Sequence, residues 1–393
     1  MKKLWLWLSL GLIFKLVLIP AALHPDFRAV NLAGYFIAQK GQILSFYDTL
    51  SRLPRTDRLV NLYGDNIFIY PPLSYLTHAV FNKLFYPVCP QTAFWTLIDD
   101  IGRLRSTAGF MPLMYLLKLP YLLADILCLY LLWHYLPEAK RRRLIWLWWF
   151  NPVVIYTCYL MGQFDIFVAL FILLALIYSG KKSWLSAVFL GIGAGFKPFP
   201  LFLLPFLPGN KLRNLVLGIG AYVLLIAPYL SSPAFKQYAL LASQSDKMLF
   251  AKIMISGSQY LPVFLIGLIL LFWWNYYHPQ KFPLWVWLCT PLLLFYSVTH
   301  FHPQWFVWVM PLLVAGVAAR ISLVWPYAVL LISYFVIVLL FEPSLNFGLF
   351  GSAFWLNPLL NRFISVDLLS SIARAILAGS AVAVIMPETG KNG

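Results

Sequence analysis

The sequence predicts an all-α polytopic membrane protein, and three observations support that prediction. Hydrophobic residues make up 62% of the 393 residues, only 11% are charged, and the mean hydropathy is +0.80. Apolar runs of about 17 to 25 residues recur, which is the length that an α-helix needs to cross the hydrocarbon core. The net charge of +16 falls mainly in short loops between these runs. It therefore indicates orientation in a membrane rather than nucleic-acid binding.

The first apolar run, residues 4–23, follows Lys2 and Lys3. It is long for the core of a signal peptide and has no small-x-small cleavage site, so we expect a retained helix. Because basic residues mark cytoplasmic ends, the N-terminus is predicted to lie in the cytoplasm and the first helix to lead outward.

Nine further full spans are predicted, which makes ten in all with both termini in the cytoplasm. They are residues 111–135 and 144–161, the run from Asp165 back to Lys181, and residues 215–230, 261–277, 284–298, 305–319, 324–341 and 368–386.

Residues 184–208 form a separate case, because basic clusters flank them on both sides. A single crossing would place either Lys182 or Lys211 on the outside. The interruption Gly195-Phe196-Lys197-Pro198-Phe199-Pro200 instead predicts a broken, re-entrant pair of half-helices. Irregular backbone at that depth is tolerated only where it is buried in protein or lines a cavity.

Residues 24–108 are predicted to form an external loop that carries the chemistry. Six of the thirteen acidic residues lie between Asp26 and Asp100. Short groups of Leu, Phe and Tyr within this loop predict amphipathic helices at the membrane interface, interrupted at Tyr70-Pro71-Pro72. The whole chain, residues 1–393, is predicted to be one integral-membrane domain.

The predicted external face collects a small set of polar side chains from at least four hairpins. They are Asp26, Arg28, Tyr70, Gln163, Asp165, Lys197, His300, His302 and Gln304. Ionisable groups at membrane depth are costly, so they are functional hypotheses by default.

Each of these polar side chains also has a structural alternative. Asp26 and Asp165 could cap helices. Lys197 could extend its amine to an interface. His300 and His302 could belong to an aromatic belt.

The remaining polar groups point to structural roles. Metal binding through His24, His300 and His302 is conceivable, but nothing in their spacing demands it, and we assign no metal or other cofactor. Asp125 is expected to pair inside the bundle. The cysteines, Cys89, Cys128, Cys158 and Cys289, form no disulfide framework, since three of them sit inside apolar runs.

The order of several short motifs resembles that of a GT-C glycosyltransferase. Within that superfamily the pattern is most similar to the polyprenyl-phosphate-mannose-dependent mannosyltransferases, including the bacterial family 87 type and the GPI mannosyltransferase I type. The motifs are Asp26 after the first span, Tyr70-Pro71-Pro72-Leu73, Asn151-Pro152 through Gly162-Gln163-Phe164-Asp165, Lys197-Pro198 with Pro200, and His302-Pro303-Gln304-Trp305.

The resemblance implies a GT-C-like bundle and an inverting transfer of a mannose-like hexose from a polyprenyl-phosphate donor to a lipid or glycan acceptor. It implies that Asp26 is the catalytic carboxylate, acting as general base. Lys197 would meet the phosphate, with Arg28 second; His300 and His302 would bind phosphate or sugar, and Gln163 and Asp165 sugar or acceptor hydroxyls. The expected location is a bacterial plasma membrane, with the site on the extracytoplasmic side and membrane lipids around it. His24-Pro25-Asp26 departs from the GPI type, which has two acidic residues there.

Two other functions remain open from the sequence. A lipid-sugar or small-molecule transporter would use the broken helices to line a central site. The long acidic first loop and the lack of a visible internal repeat favour the transferase. A catalytically inactive scaffold would tolerate substitution of Asp26.

Overall fold

The computed structural model describes residues 2–180, 182–241, 243–341 and 356–386. It is 75% helical. The described residues contain a single two-stranded antiparallel sheet, formed by β1 (Lys252–Ser256) and β2 (Gln259–Pro262). The all-α class is therefore confirmed. Lys181 and most of the predicted external stretch 342–366 lie outside the described residues.

The first helix leads into a helical unit rather than a linker. Its elements are α1 (Lys2–Leu18), α2 (Asp26–Lys40), α3 (Thr49–Arg52), α4 (Arg58–Tyr63), α5 (Leu73–Phe85) and α6 (Gln91–Asp99), with 3₁₀ turns at Phe46–Asp48, Tyr86–Val88 and Leu104–Ser106. Helices α2 and α5 pack closely at Gly34, where an added Cβ would lie 3.1 Å from the carbonyl carbon of His78. The prediction of helices in the first loop is confirmed.

The rest of the chain is a bundle of mostly apolar helices. The α-helices are α7 (Phe110–Tyr135), α8 (Glu138–Arg141), α9 (Pro152–Ile155), α10 (Asp165–Tyr178), α11 (Ser183–Ala194), α12 (Lys211–Ile226), α13 (Val263–Tyr277), α14 (Leu284–Val298), α15 (Met310–Ala319), α16 (Val324–Leu340), α17 (Leu356–Leu360) and α18 (Val366–Ile385). The 3₁₀ segments are Phe199–Phe206, Ala227–Tyr229, Ser243–Leu249, Pro303–Val309 and Ile321–Leu323, and the π-helical segments are Ile145–Trp149, Tyr156–Met161 and Phe235–Leu240.

The length and apolar composition of several of these helices indicate a membrane-embedded protein. Within the described residues, four helices are long and apolar enough to cross a membrane, namely Phe110–Tyr135, Lys211–Tyr229, Ile321–Leu340 and Val366–Ile385. A bent pair would make a fifth span, and five shorter apolar helices accompany them. Each predicted apolar run is largely helical, although residues 19–23 follow the end of α1 and residues 261 and 262 belong to β2. The total of ten full spans stays a prediction.

The third predicted span, residues 144–161, is bent rather than straight. Its two halves meet at 42° on either side of Asn151 and Pro152. Pro152 lacks a backbone N–H and cannot continue the preceding helix. The Asn151 side chain caps the start of the next helix, α9. Its Oδ1 accepts the N–H groups of Val153 at 2.9 Å and Val154 at 3.3 Å.

The predicted break at 195–198 is present between α11 and the 3₁₀ segment Phe199–Phe206. Two backbone carbonyls of buried residues at this break have hydrogen-bond partners in the first loop. The Gly195 carbonyl accepts the N–H of Leu73 at 3.0 Å, and the Phe196 carbonyl accepts the hydroxyl of Ser74 at 3.0 Å. The break is therefore anchored directly to the start of α5.

Two buried lysines fix α1 to the bundle. Lys15 donates to Asp125 at 2.6 Å with both side chains fully buried, so the expectation that Asp125 pairs internally is confirmed. Lys118 donates to four backbone carbonyls, those of Ile19, Ala22, Tyr159 and Leu160, at 2.6 to 3.1 Å. Lys118 thereby joins the end of α1 to the end of the bent helix, just before Asp26 and Gln163.

Basic side chains donate hydrogen bonds to the ends of neighbouring helices, and two of them do so at the end of α15. Lys140 donates to the carbonyl of Ala319 at 2.9 Å, and Arg143 donates to that of Ala318 at 2.6 Å. Arg213 donates to Ser183 at 2.8 Å. This grouping agrees with the orientation rule used for the sequence, although the face of the membrane stays a prediction.

Candidate functional site

Asp26 is the first residue of α2 and lies directly after the turn that follows α1. The backbone N–H of His24 donates to the carbonyl of Met161 at 2.9 Å, which attaches this turn to the bent helix. The Tyr70 hydroxyl donates to Asp26 Oδ2 at 2.6 Å. The helix cap is Pro25, and the Asp26 carboxylate makes no capping bond, so the capping alternative is wrong.

His24 covers Asp26 as a neutral imidazole. Burial lowers the pKa of His24, and the charge of Lys197 lowers it further. Its Nδ1 accepts the backbone N–H of Asp26 at 3.1 Å, so the ring proton lies on Nε2. That buried Nε2 has no partner among the described residues.

Asp26 is held in its ionised form. Burial on its own would raise the pKa of Asp26, but the hydrogen bond from Tyr70 and the charge of Lys197 lower the pKa below its usual value. The Asp26 side chain keeps 24% of its surface exposed, so its free oxygen is reachable.

Lys197 and Asp165 form a second charged pair next to Tyr70. The Lys197 amine donates to both carboxylate oxygens of Asp165, at 2.8 and 3.0 Å, and Trp308 Nε1 donates to Oδ1 at 2.7 Å. Lys197 is only 4% exposed, so it does not extend to an interface. Asp165 makes no capping bond on α10, so its capping alternative is also wrong.

Aromatic rings enclose the Lys197 amine. It lies 4.8 to 5.6 Å from the ring centroids of Tyr70, Phe164, Trp305 and Trp308. A cavity lies next to these rings and has a volume of about 670 Å³ including its mouth. Tyr70, Lys197, Trp305 and Trp308 line it, and most of the other lining side chains are apolar. Lys197, whose charge is partly offset by Asp165, is the one charged residue in this lining, and its remaining N–H is suited to an anionic group that carries an apolar chain.

His302 lies next to this cluster, with its ring centroid 5.0 Å from that of Trp305. Burial, with the charges of Lys247 and Lys197, lowers the pKa of His302 to about 3, so the ring is neutral. Lys247 is in hydrogen-bond contact with His302 Nε2. Since a lysine ammonium only donates, the ring proton lies on Nδ1, which has no partner among the described residues.

Other buried polar atoms without partners belong to the same motifs. Both amide atoms of Gln163, the Gln304 Oε1 and the Trp305 Nε1 have no hydrogen-bond partner in the described part of the chain. Gln163 and Gln304 are each 1% exposed. Buried polar groups normally have partners, so these atoms are available to a polar ligand.

Two predicted site residues are directed elsewhere. The Arg28 guanidinium lies 5.5 Å from the Tyr63 ring and is not among the groups that act on Asp26. His300 stacks on Phe341 at 5.1 Å and lies 5.7 Å from Phe250. His300 therefore packs within an aromatic group, as its belt alternative expects.

Trp308 and Lys247 were not among the residues predicted from the sequence, and Trp305 was expected only as the last residue of the motif His302-Pro303-Gln304-Trp305. The two tryptophans follow His302 at helical spacing, three residues apart, and their rings stack at 5.4 Å. That spacing was the available signal, but it is also typical of an interfacial belt. Lys247 gave no such signal, because it comes from a loop 55 residues before His302.

Comparison with protein-family models, with curated proteins and with solved structures gives no match to this chain. Within the described residues, no three His, Cys, Asp or Glu side chains come together in a way that could hold a metal ion. His24, His300 and His302 do not form such a group. The four cysteines, all in described segments, are free.

Proposed function

We propose that this protein is an inverting glycosyltransferase that moves a mannose-like hexose from a polyprenyl-phosphate donor to a lipid or glycan acceptor. The observation that carries the proposal is the cluster of Asp26, Tyr70 and Lys197, in which an ionised carboxylate lies beside a cation in an apolar cavity. The ten-span GT-C-like bundle, the cytoplasmic termini, the bacterial plasma membrane and the extracytoplasmic position of the site are parts of the same proposal.

Asp26 is the general base in this proposal. Its carboxylate takes the proton of the acceptor hydroxyl while that oxygen bonds to the anomeric carbon of the donor. The bond from that carbon to the phosphate oxygen breaks, and the electron pair leaves with the polyprenyl phosphate. Attack opposite the leaving group inverts the anomeric configuration. Tyr70 keeps the second carboxylate oxygen occupied and so aims the free oxygen.

Lys197 receives the charge that develops on the departing phosphate. Two of its three N–H groups are directed at Asp165, which leaves one donor for a phosphate oxygen. We assign Asp165 and Trp308 to positioning Lys197 rather than to hydroxyl recognition. In the apolar cavity a fixed cation acts more strongly than in water. The unpartnered donors of His24, His302 and Gln163 supply hydrogen bonds to sugar hydroxyls.

The first test of this function asks which class of sugar donor the protein uses. Purified protein in detergent, given a membrane-lipid extract as acceptor, should form labelled glycolipid from radiolabelled polyprenyl-phosphate mannose. The same label supplied as a nucleotide sugar should give none. Transfer from the nucleotide sugar alone would contradict the proposed donor.

The pH profile should report the Tyr70 hydrogen bond. Because the pKa of Asp26 is lowered, the carboxylate stays ionised through neutral pH, and transfer falls only as the pH drops through that lowered pKa. Tyr70→Phe removes one group that lowers this pKa, so the acid limb should move to higher pH. Initial rates from pH about 2 to 7, a range that spans the usual aspartate pKa of about 3.9, would measure the shift.

Tyr35→Phe is the matched control for this profile. Tyr35 lies on the same helix as Asp26, and the groups that act on Asp26 do not include it. Its acid limb should match that of the wild type. An unchanged limb in Tyr70→Phe, with its overall rate intact, would exclude Tyr70 as a group that tunes Asp26.

A further inference from the structure

A basic recess lies at the opposite end of α1 from the candidate site. Its lining includes Lys3 and Trp7 of α1, Trp133 of α7, and Arg141, Arg142 and Trp146 beyond it. Helix α1 has 17 residues and at about 1.5 Å per residue is about 25 Å long; Lys3 and Trp7 lie in its first two turns, whereas Asp26 follows its other end. The recess has a volume of about 1540 Å³ including its open mouth.

The four consecutive basic residues 140–143 divide into two functional pairs. Lys140 and Arg143 donate to the carbonyls of Ala319 and Ala318 and close the end of α15. Arg141 and Arg142 line the recess instead; within the described ranges, the one hydrogen bond of Arg141 is from its Nε to the carbonyl of Leu136 at 3.2 Å. The positive-inside rule explains why basic residues occur here. It does not explain why two of them bind the end of α15 while the other two line a recess.

The charges in the recess are not balanced from within. Glu138 is the one acidic residue in its lining, against Lys3, Arg141 and Arg142. Among the described residues, no salt bridge involves any of these four. An anion would therefore meet an excess of two positive charges and the free guanidinium donors of two arginines.

The other part of the lining is aromatic and continuous with an apolar surface. Trp7 and Trp146 stack edge to face at 4.9 Å, and both are exposed, at 39% and 57%. Beyond Trp7, α1 presents Leu10 and Ile13 outward, as a lipid-facing helix does. The occupant must therefore combine an anionic head with apolar chains; a free anion would leave the aromatic wall uncovered.

We propose that the recess bounded by Lys3, Arg141, Arg142, Trp7, Trp133 and Trp146 binds the phosphate headgroup of an anionic phospholipid. The two arginines contact the phosphate, and the tryptophans pack on the glycerol and the first part of the acyl chains. This site is independent of the sugar-transfer proposal, because none of its residues belongs to the candidate site.

Lipid titration of the full chain in detergent, read by native mass spectrometry, tests this site. Phosphatidylglycerol and phosphatidylcholine with the same acyl chains are the probes. The wild type should bind phosphatidylglycerol at least tenfold more tightly. Arg141→Gln with Arg142→Gln should lose about fivefold for each charge removed. Arg141→Lys with Arg142→Lys should stay within about threefold of the wild type, which separates loss of charge from misfolding.

The matched control is Lys281→Gln with Arg320→Gln, two exposed basic residues outside the recess. It should keep the wild-type preference. Equal binding of the two lipids, or an unchanged preference in the double glutamine variant, would overturn the proposal. Displacement of the lipid by equimolar inorganic phosphate would also overturn it, because the ligand would then be a free anion.

Discussion

Asp26→Asn should reduce sugar transfer by about 10²- to 10⁴-fold, which is the usual contribution of a positioned general base. Asparagine has nearly the same shape and can still accept the hydroxyl of Tyr70, so the local structure should persist. It cannot take the proton of an acceptor hydroxyl. Initial rates with saturating labelled donor would measure the loss, and donor binding should change much less than the rate.

The control for this variant is Asp100→Asn. Asp100 belongs to the same segment between α1 and α7 and is half exposed; it forms an ion pair with the nearby Arg103 and accepts the N–H of Gly102 at 3.2 Å. Its variant should transfer sugar at the wild-type rate. A wild-type rate in Asp26→Asn would be consistent with a glycosyltransferase but would exclude Asp26 as its general base.

Lys15→Met should destabilise the fold by about 3–5 kcal/mol, because it leaves the Asp125 carboxylate buried without its cation. Asp125 would keep the hydroxyl of Tyr159 at 2.5 Å and Trp148 Nε1 at 2.8 Å. These neutral donors do not replace a positive charge at a fully buried position. Thermal unfolding followed by tryptophan fluorescence in one detergent would measure the change.

The double variant Lys15→Met with Asp125→Asn should recover most of that loss. It removes both charges, and the asparagine oxygen still accepts from Tyr159 and Trp148. Lys83→Met, at an exposed position, should stay within about 0.5 kcal/mol of the wild type. A double variant no more stable than Lys15→Met would show that packing of the lysine chain, rather than charge pairing, stabilises this region.

Much of the candidate site could be predicted because its signals are local. Asp26 was visible as a carboxylate directly after an apolar run, and Lys197 as a cation between helix-breaking residues. Local spacing also argues against placing Arg28 beside Asp26. The two residues are two positions apart on α2, and side chains at that spacing on a helix do not face each other.

The pairings within the site could not be predicted because they depend on helix packing. Lys197 and Asp165 are 32 residues apart on different helices, and Lys15 and Asp125 are 110 apart. Sequence spacing gives no information on such contacts. The number of full spans could not be predicted from the sequence for a related reason. Several apolar helices are short, and the Asn151-Pro152 bend divides one of them.

The most direct test of the central claim is chemical. Protein reconstituted in liposomes with polyprenyl-phosphate mannose and acceptor lipid should consume the donor, release polyprenyl phosphate and form a glycosylated acceptor of inverted anomeric configuration. Mass spectrometry and nuclear magnetic resonance of the extracted lipids would measure these products. Recovery of the donor intact, but moved to the opposite leaflet, would contradict the account and identify a transporter.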